Sequence, residues 1–229
     1  MATTMQSKPA HILRGLYAVT PEIADTNVLA ERALQALAGG AALLQYRAKA
    51  AAPGLALEQA RRLAALCRAH RVPFVVNDSV ELAIAASADG VHLGRGDASV
   101  GAARRALPRG LLGVSCYAEP ALARAAALAG ADYVAIGSVF ASRTKPAAVR
   151  APLALIAAVQ EESGLPVVAI GGITPANAAQ VIAAGADMVA VISAVFDASD
   201  VTGAARAFAH LFNDPTPGSR DARTQPPPL

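Results

Sequence analysis

Between Leu13 and Phe212, short runs of β-branched and apolar residues alternate with longer segments whose apolar positions recur at helical spacing. Eight strands are expected: Leu16 to Thr20, Leu43 to Arg47, Phe74 to Asn77, Val91 to Leu93, Leu112 to Ser115, Tyr133 to Gly137, Val167 to Ile170 and Met188 to Ile192. Eight helices fill the intervals, among them Leu57 to His70, Pro120 to Ala129 and Pro175 to Ala184. The last would enter through Thr174 as N-cap, with Pro175 at the first helical position.

An internal repeat supports this division. Gly130-Ala131-Asp132-Tyr133-Val134-Ala135-Ile136-Gly137-Ser138 is echoed by Gly185-Ala186-Asp187-Met188-Val189-Ala190-Val191-Ile192-Ser193. A weaker copy opens the fourth strand at Ala88-Asp89-Gly90-Val91, and a looser one opens the second at Gly40 to Leu44. A repeat falling on every second strand fits an α/β fold built as a single (β/α)8 TIM barrel, for which about 200 residues is the lower limit. A doubly wound sheet is the alternative.

Of the 229 residues, 58 are alanine, 54% are hydrophobic and 16% charged, which suits closely packed helices around a sizeable core. The mean hydropathy of +0.40 raises the question of a membrane. The longest uncharged run, Ser163 to Ala186, is interrupted by Pro166, Gly171, Gly172, Pro175 and Asn177, so no spanning helix is expected. Met1 to Arg14 lacks the apolar stretch of a secretory signal, and a cytoplasmic location is expected. Cys67 and Cys116 form no metal or redox motif and read as reduced thiols. The net charge of +3, without a basic stripe interleaved with aromatics, gives no nucleic-acid partner. Five of the 15 prolines fall in Asn213 to Leu229, which reads as a disordered tail. The organisation expected is therefore an N-terminal extension (1–12), a catalytic barrel (13–212) and a Pro-rich tail (213–229).

In a barrel, polar residues at strand C-termini carry chemistry and those at N-termini carry stability. Asp89, Asp132 and Asp187 precede strands and are assigned to structural turns. Gln45-Tyr46-Arg47-Ala48-Lys49 places an amide and two cations at alternate positions, which suits an anion but also a solvated loop. Asp78 and Asp97 end adjacent strand–loop units and would suit a shared hard cation such as Mg²⁺. Asp78 also reads as a helix N-cap and Asp97 as a turn residue. Ser142, Thr144 and Lys145 lie in the longest polar connection after a strand. Gly171-Gly172 and Ile192-Ser193 follow the seventh and eighth strands, where barrels commonly grip phosphate with backbone N–H groups. His92, inside a strand, reads as a satisfied core residue, and Cys116 as a buried thiol rather than a nucleophile.

Several separated motifs together resemble the thiamine-phosphate synthase family. They are Gly15-Leu16-Tyr17-Ala18-Val19-Thr20, Gln45-Tyr46-Arg47-Ala48-Lys49, Asn77-Asp78, Val91-His92-Leu93-Gly94 with Asp97, Gly113-Val114-Ser115, Thr144-Lys145-Pro146, Ala169-Ile170-Gly171-Gly172-Ile173 and Ile192-Ser193. The resemblance implies a transferase coupling 4-amino-2-methyl-5-hydroxymethylpyrimidine diphosphate to a thiazole phosphate, with release of pyrophosphate. It implies that Gln45, Arg47, Lys49, Asn77 and Lys145 hold the pyrimidine diphosphate, that Ser115 contacts the pyrimidine, and that Asp78 and Asp97 bind Mg²⁺. Ser142, Arg143, Thr144, Gly172, Ile192 and Ser193 would hold the thiazole phosphate, with Lys145, Ser115 and Arg47 carrying the chemistry. Arg95-Gly96 stands where the family usually has Gln and an acidic or small residue, and Ser142 where threonine is common. A thiazole tautomerase on the same barrel and a non-catalytic sensor of thiamine phosphate are the alternatives.

Overall fold

The computed structural model describes residues 13–142 and 149–213. Its eight parallel strands close into a barrel in the order β1 to β8. The strands are β1 (Gly15–Val19), β2 (Ala41–Tyr46), β3 (Phe74–Asn77), β4 (Gly90–Leu93), β5 (Leu111–Tyr117), β6 (Tyr133–Ile136), β7 (Val167–Ile170) and β8 (Met188–Val191). Around them run α1 (Thr26–Ala38), α2 (Pro53–His70), α3 (Val80–Ala85), α4 (Val100–Ala106), α5 (Pro120–Leu128), α6 (Ala154–Ser163), α7 (Pro175–Ala183), α8 (Ser193–Phe196) and α9 (Val201–Asn213). The short α8 is one helix more than the sequence pattern suggests. Helix α9 extends one residue into the segment expected to be tail.

The two faces of each strand supply two cores, as the period of two requires. Leu16, Ala18, Val189 and Val191 point outward against the helices. Tyr17, Val19, Leu43, Val75, Tyr133, Ala135, Val168, Met188 and Ala190 fill the barrel interior. Alanines make the outer layer close: Ala33 and Ala36 of α1 and Ala60 of α2 are fully buried against the strands. Gly113 has a specific reason to lack a side chain, because a Cβ there would lie 2.0 Å from the Tyr133 ring.

The three aspartates preceding strands do structural work at the bottom face. Asp89 Oδ2 accepts from Phe74 N at 2.8 Å, Asp132 Oδ2 from Leu112 N at 2.8 Å, and Asp187 Oδ2 from Val167 N at 2.9 Å. Each carboxylate thus ties the entrance of an even strand to the start of the preceding odd one. That is the physical content of the quarter-repeat. Strand β5 runs two residues beyond its expected end, since Cys116 is buried on the outer face and Tyr117 still pairs with Ile136 after a register shift.

Candidate active site

The C-terminal ends of the strands surround a cleft of about 1020 Å³. Gln45, Arg47, Asn77, Ser115, Ser142, Gly172, Ile192 and Ser193 all line it. Lys49, Asp78 and Asp97 meet beside it, at the β2, β3 and β4 exits. Arg143, Thr144 and Lys145 lie outside the described residues.

Strand β2 ends at Tyr46, so Gln45 belongs to the strand while Arg47 and Lys49 follow it in the loop; Gln45 and Arg47 both line the cleft. Gln45 points into the barrel, where its Nε2 donates to Tyr17 Oη at 2.5 Å. Arg47 is held by its backbone N–H on Thr20 Oγ1 (2.9 Å) and by Glu22, 3.7 Å from its guanidinium. Glu22 also accepts from the backbone N–H groups of Lys49 (3.3 Å) and Ala50 (3.2 Å). This carboxylate shapes the basic loop. An acidic residue two positions after Thr20, facing a basic loop from the neighbouring strand, is the signal that marks it.

Lys49 Nζ reaches Asp78 Oδ2 at 3.0 Å. Asp78 is not the N-cap its sequence context suggests: Ser79 caps α3, accepting from Leu82 N. Freed from that task, Asp78 sits at φ 67, a left-handed conformation Asp tolerates better than most residues, with its N–H on His92 O at 2.8 Å. Asp97 folds back to accept from Gly94 N at 2.6 Å. A Cβ built on Gly94 would lie 3.3 Å from Asp97 Oδ2 and 4.0 Å from Asp78 Oδ1, which places both carboxylates around one glycine. Burial, and then the neighbouring Asp78, push the Asp97 carboxyl above the usual carboxylate range, while the Gly94 N–H and Lys49 pull the other way. Two carboxylates gathered around one glycine fit a hard divalent cation. Among the described residues no group of three or more His, Cys, Asp or Glu could hold a metal, so such an ion would need further oxygens from substrate or water.

Arg95, where the resembled family usually has Gln, fixes this loop from outside. Its N–H donates to Tyr117 Oη at 2.9 Å, its guanidinium lies 5.0 Å from the Tyr117 ring centroid, and it pairs with Glu119 at 2.5 Å.

His92 meets the expectation of a satisfied core residue and adds to it. It is buried and hydrogen-bonded, as a core histidine would be, yet it faces the cleft with Nε2 2.9 Å from Ser115 Oγ. Its Nδ1 lies 3.1 Å from Tyr133 Oη, which in turn is 2.9 Å from Tyr17 Oη. A histidine is therefore poised on the residue assigned to the pyrimidine. Tyr17 and Tyr133 were hidden because an aromatic at an inward position reads as filler. Burial pushes the Cys67 and Cys116 thiols up to about 12, in keeping with inert reduced cysteines.

At the opposite side, Gly171 (φ +106) and Gly172 (φ +64) occupy positive φ. A Cβ on Gly172 would stand 2.2 Å from Ala141 O, and one on Gly171 2.0 Å from Ser138 Oγ. The glycines thus let the β6 and β7 exits lie against each other. Strand β8 passes directly into α8 at Ser193, and no basic residue lies between Gly164 and Phe196.

A family model described as thiamine monophosphate synthase matches residues 16–195. The chain belongs to the thiamine-phosphate synthase family. The thiamine-phosphate synthase of Aromatoleum aromaticum is 58% identical over 202 residues, covering 88% of this chain and 97% of that one. That of Methylobacillus flagellatus is 53% identical, covering 88% and 96%. Among solved structures, thiamine phosphate pyrophosphorylase from Pyrococcus furiosus superimposes with a TM-score of 0.79 at 36% identity, covering 89% of this chain and 97% of that one. A 3-hexulose-6-phosphate synthase at 18% identity and TM-score 0.67 shares the fold alone. The protein is accordingly a transferase of the thiamine-phosphate synthase family, and nothing in these matches supports the tautomerase or the sensor. Among the described residues no helix is long and apolar enough to cross a membrane.

Proposed function

We propose that the cleft is divided between two anions: the pyrimidine diphosphate on the β2–β4 side and the thiazole phosphate on the β7–β8 side. The observation that carries this division is the position of Asp78 and Asp97, after β3 and β4, four strands around the closed barrel from Gly172 and Ser193, after β7 and β8, with Lys49 drawn to the same side by its contact with Asp78. One side offers cations and carboxylates; the β7 and β8 loops of the other offer backbone N–H groups and carry no basic residue of their own between Gly164 and Phe196.

In this reading Arg47, Lys49 and Asn77 hold the diphosphate, Ser115 and Gln45 orient the pyrimidine, and Asp78 and Asp97 hold Mg²⁺. When bound, the ion supplies positive charge to the diphosphate oxygens. The carbon–oxygen bond at the pyrimidine methylene breaks first, its electron pair leaving with pyrophosphate. Arg47, Lys49 and Lys145 stabilise that developing charge. The pyrimidine amino group delocalises the positive charge left at the methylene, and the thiazole nitrogen then forms the new bond. No proton need be removed from that nitrogen, so His92 is assigned to orientation rather than to base catalysis. Ser142, Arg143, Thr144, Gly172, Ile192 and Ser193 hold the thiazole phosphate in line, and proximity supplies much of the remaining acceleration. A cytoplasmic location and a Mg²⁺ requirement belong to the same reading. The test is the Mg²⁺ dependence of thiamine phosphate formation in the wild type, Asp78→Asn and Asp97→Asn.

A further inference from the structure

Five side chains cross the barrel interior in one hydrogen-bonded line: Gln45, Tyr17, Tyr133, His92 and Ser115. The links are 2.5 Å from Gln45 Nε2 to Tyr17 Oη, 2.9 Å from Tyr17 Oη to Tyr133 Oη, 3.1 Å from Tyr133 Oη to His92 Nδ1, and 2.9 Å from His92 Nε2 to Ser115 Oγ. We propose that this line has a fixed direction, which holds His92 as its Nε2–H tautomer and leaves the Ser115 hydroxyl proton free to donate into the cleft.

Proton counting sets the direction. An amide nitrogen only donates, so Tyr17 Oη accepts from Gln45 and must send its own single proton to Tyr133. Tyr133 then sends its proton to His92 Nδ1. Nδ1 being an acceptor, the ring proton of neutral His92 sits on Nε2 and goes to Ser115 Oγ. The reverse arrangement would deliver two protons to Tyr17 Oη and strand its own inside a fully buried site, which costs an unsatisfied donor. Both tyrosines are held as neutral hydroxyls, since burial raises their ionisation well beyond the ordinary range. The rings are fixed as well: Tyr17 meets Tyr133 edge-on at 6.0 Å between centroids, and His92 lies 5.6 Å from Tyr133. Tyr17, Tyr133 and His92 are positioning residues in this account. They act on substrate through the two ends of the line, Ser115 and Gln45. The benefit to substrate binding rests on the assignment of Ser115 to the pyrimidine; the direction of the chain does not.

The test is a long-range ¹H–¹⁵N correlation spectrum of the full-length protein labelled at histidine, with the His92 signal identified by its loss in His92→Gln. The expected result is protonated Nε2 and unprotonated Nδ1 at His92. A protonated Nδ1 overturns the proposal, whatever the kinetics show. Tyr133→Phe, with retained far-ultraviolet circular dichroism, is expected to abolish the single-tautomer pattern. It should also raise KM for the pyrimidine diphosphate ~10-fold, the loss of one hydrogen bond's worth of affinity, and spare KM for the thiazole phosphate. Adding Ser115→Ala to it should cost nothing further, and fully additive losses would contradict the coupling. An Nε2–H tautomer combined with unchanged KM in Ser115→Ala would support the chain and remove only the assignment of Ser115.

Discussion

Lys49 Nζ lies 3.0 Å from Asp78 Oδ2, so the ammonium assigned to the diphosphate and a carboxylate assigned to Mg²⁺ are in contact. The two ligands proposed for this side would therefore be electrostatically linked through Lys49. Lys49→Met removes a positive charge from beside the carboxylates and from the diphosphate site together. Mg²⁺ should bind the free variant more tightly and the pyrimidine diphosphate more weakly. The pair is partly exposed, so the gain for Mg²⁺ is held to about 1 kcal/mol, or roughly fivefold. Calorimetric titration of each ligand separately checks both signs.

On the proposed assignment of Mg²⁺, protonation of Asp97 would set an acid limit on the ion. Its carboxyl titrates above the usual range, first through burial and then through Asp78. Below that raised pKa the group is neutral and loses its charge toward Mg²⁺; above it the group is ionised and the ion binds fully. The apparent Mg²⁺ affinity should thus begin to fall, on acidification, at a pH above the ~4 of an ordinary aspartate. Asp78→Asn should move the onset only partway back, because burial is the larger cause. Mg²⁺ titrations across the acid range measure this, and an onset at the ordinary value would contradict it.

A buried amide couples the first two barrel loops. Tyr46 Oη donates to Gln59 Oε1 at 2.8 Å, and Gln59 Nε2 donates to the carbonyls of Ile23 (2.9 Å) and Ala24 (3.3 Å). Gln59→Leu leaves all three partners without it and should cost ~2–4 kcal/mol in urea unfolding. Tyr46→Phe deletes one bond and should cost ~1 kcal/mol. Equal small losses would show that the carbonyls find other partners.

The barrel was legible because its inward and outward positions alternate and because an aspartate marks three of its four strand-pair units at Asp89, Asp132 and Asp187. The same periodicity concealed the polar interior. Tyr17, Tyr133 and His92 occupy inward positions where a strand pattern shows only bulk, and a hydroxyl's partner across the barrel leaves no trace in local spacing. Local spacing in the Gln45 to Lys49 motif shows neither the end of the strand at Tyr46 nor the bond from Gln45 to Tyr17 across the barrel interior. Glu22 was missed because its partners, Arg47, Lys49 and Ala50, lie on the next strand's loop.

For the side proposed to hold the thiazole phosphate, Ser193→Ala is a cleaner test than a change at Gly172. Any Cβ at Gly172 meets Ala141 O at 2.2 Å and inherits φ +64, so Gly172→Val disturbs the β6 exit as well as the anion. Ser193→Ala should raise KM for the thiazole phosphate about fivefold, the worth of one hydroxyl donor near 1 kcal/mol, and leave that for the pyrimidine diphosphate unchanged. Gly172→Val should raise the same KM further and lower the melting temperature. Equal effects of Ser193→Ala on both substrates would show that the anions are not divided between the two sides.

The most direct measurement is product formation from both substrates with Mg²⁺ as the variable, in the wild type, Asp78→Asn and Asp97→Asn. The account predicts thiamine phosphate and pyrophosphate in equal amounts, loss of turnover on chelation, and a sharp fall in rate at limiting Mg²⁺ in both variants, each still folded. Near-native rates in both variants at limiting Mg²⁺ would contradict the assignment of the ion to Asp78 and Asp97.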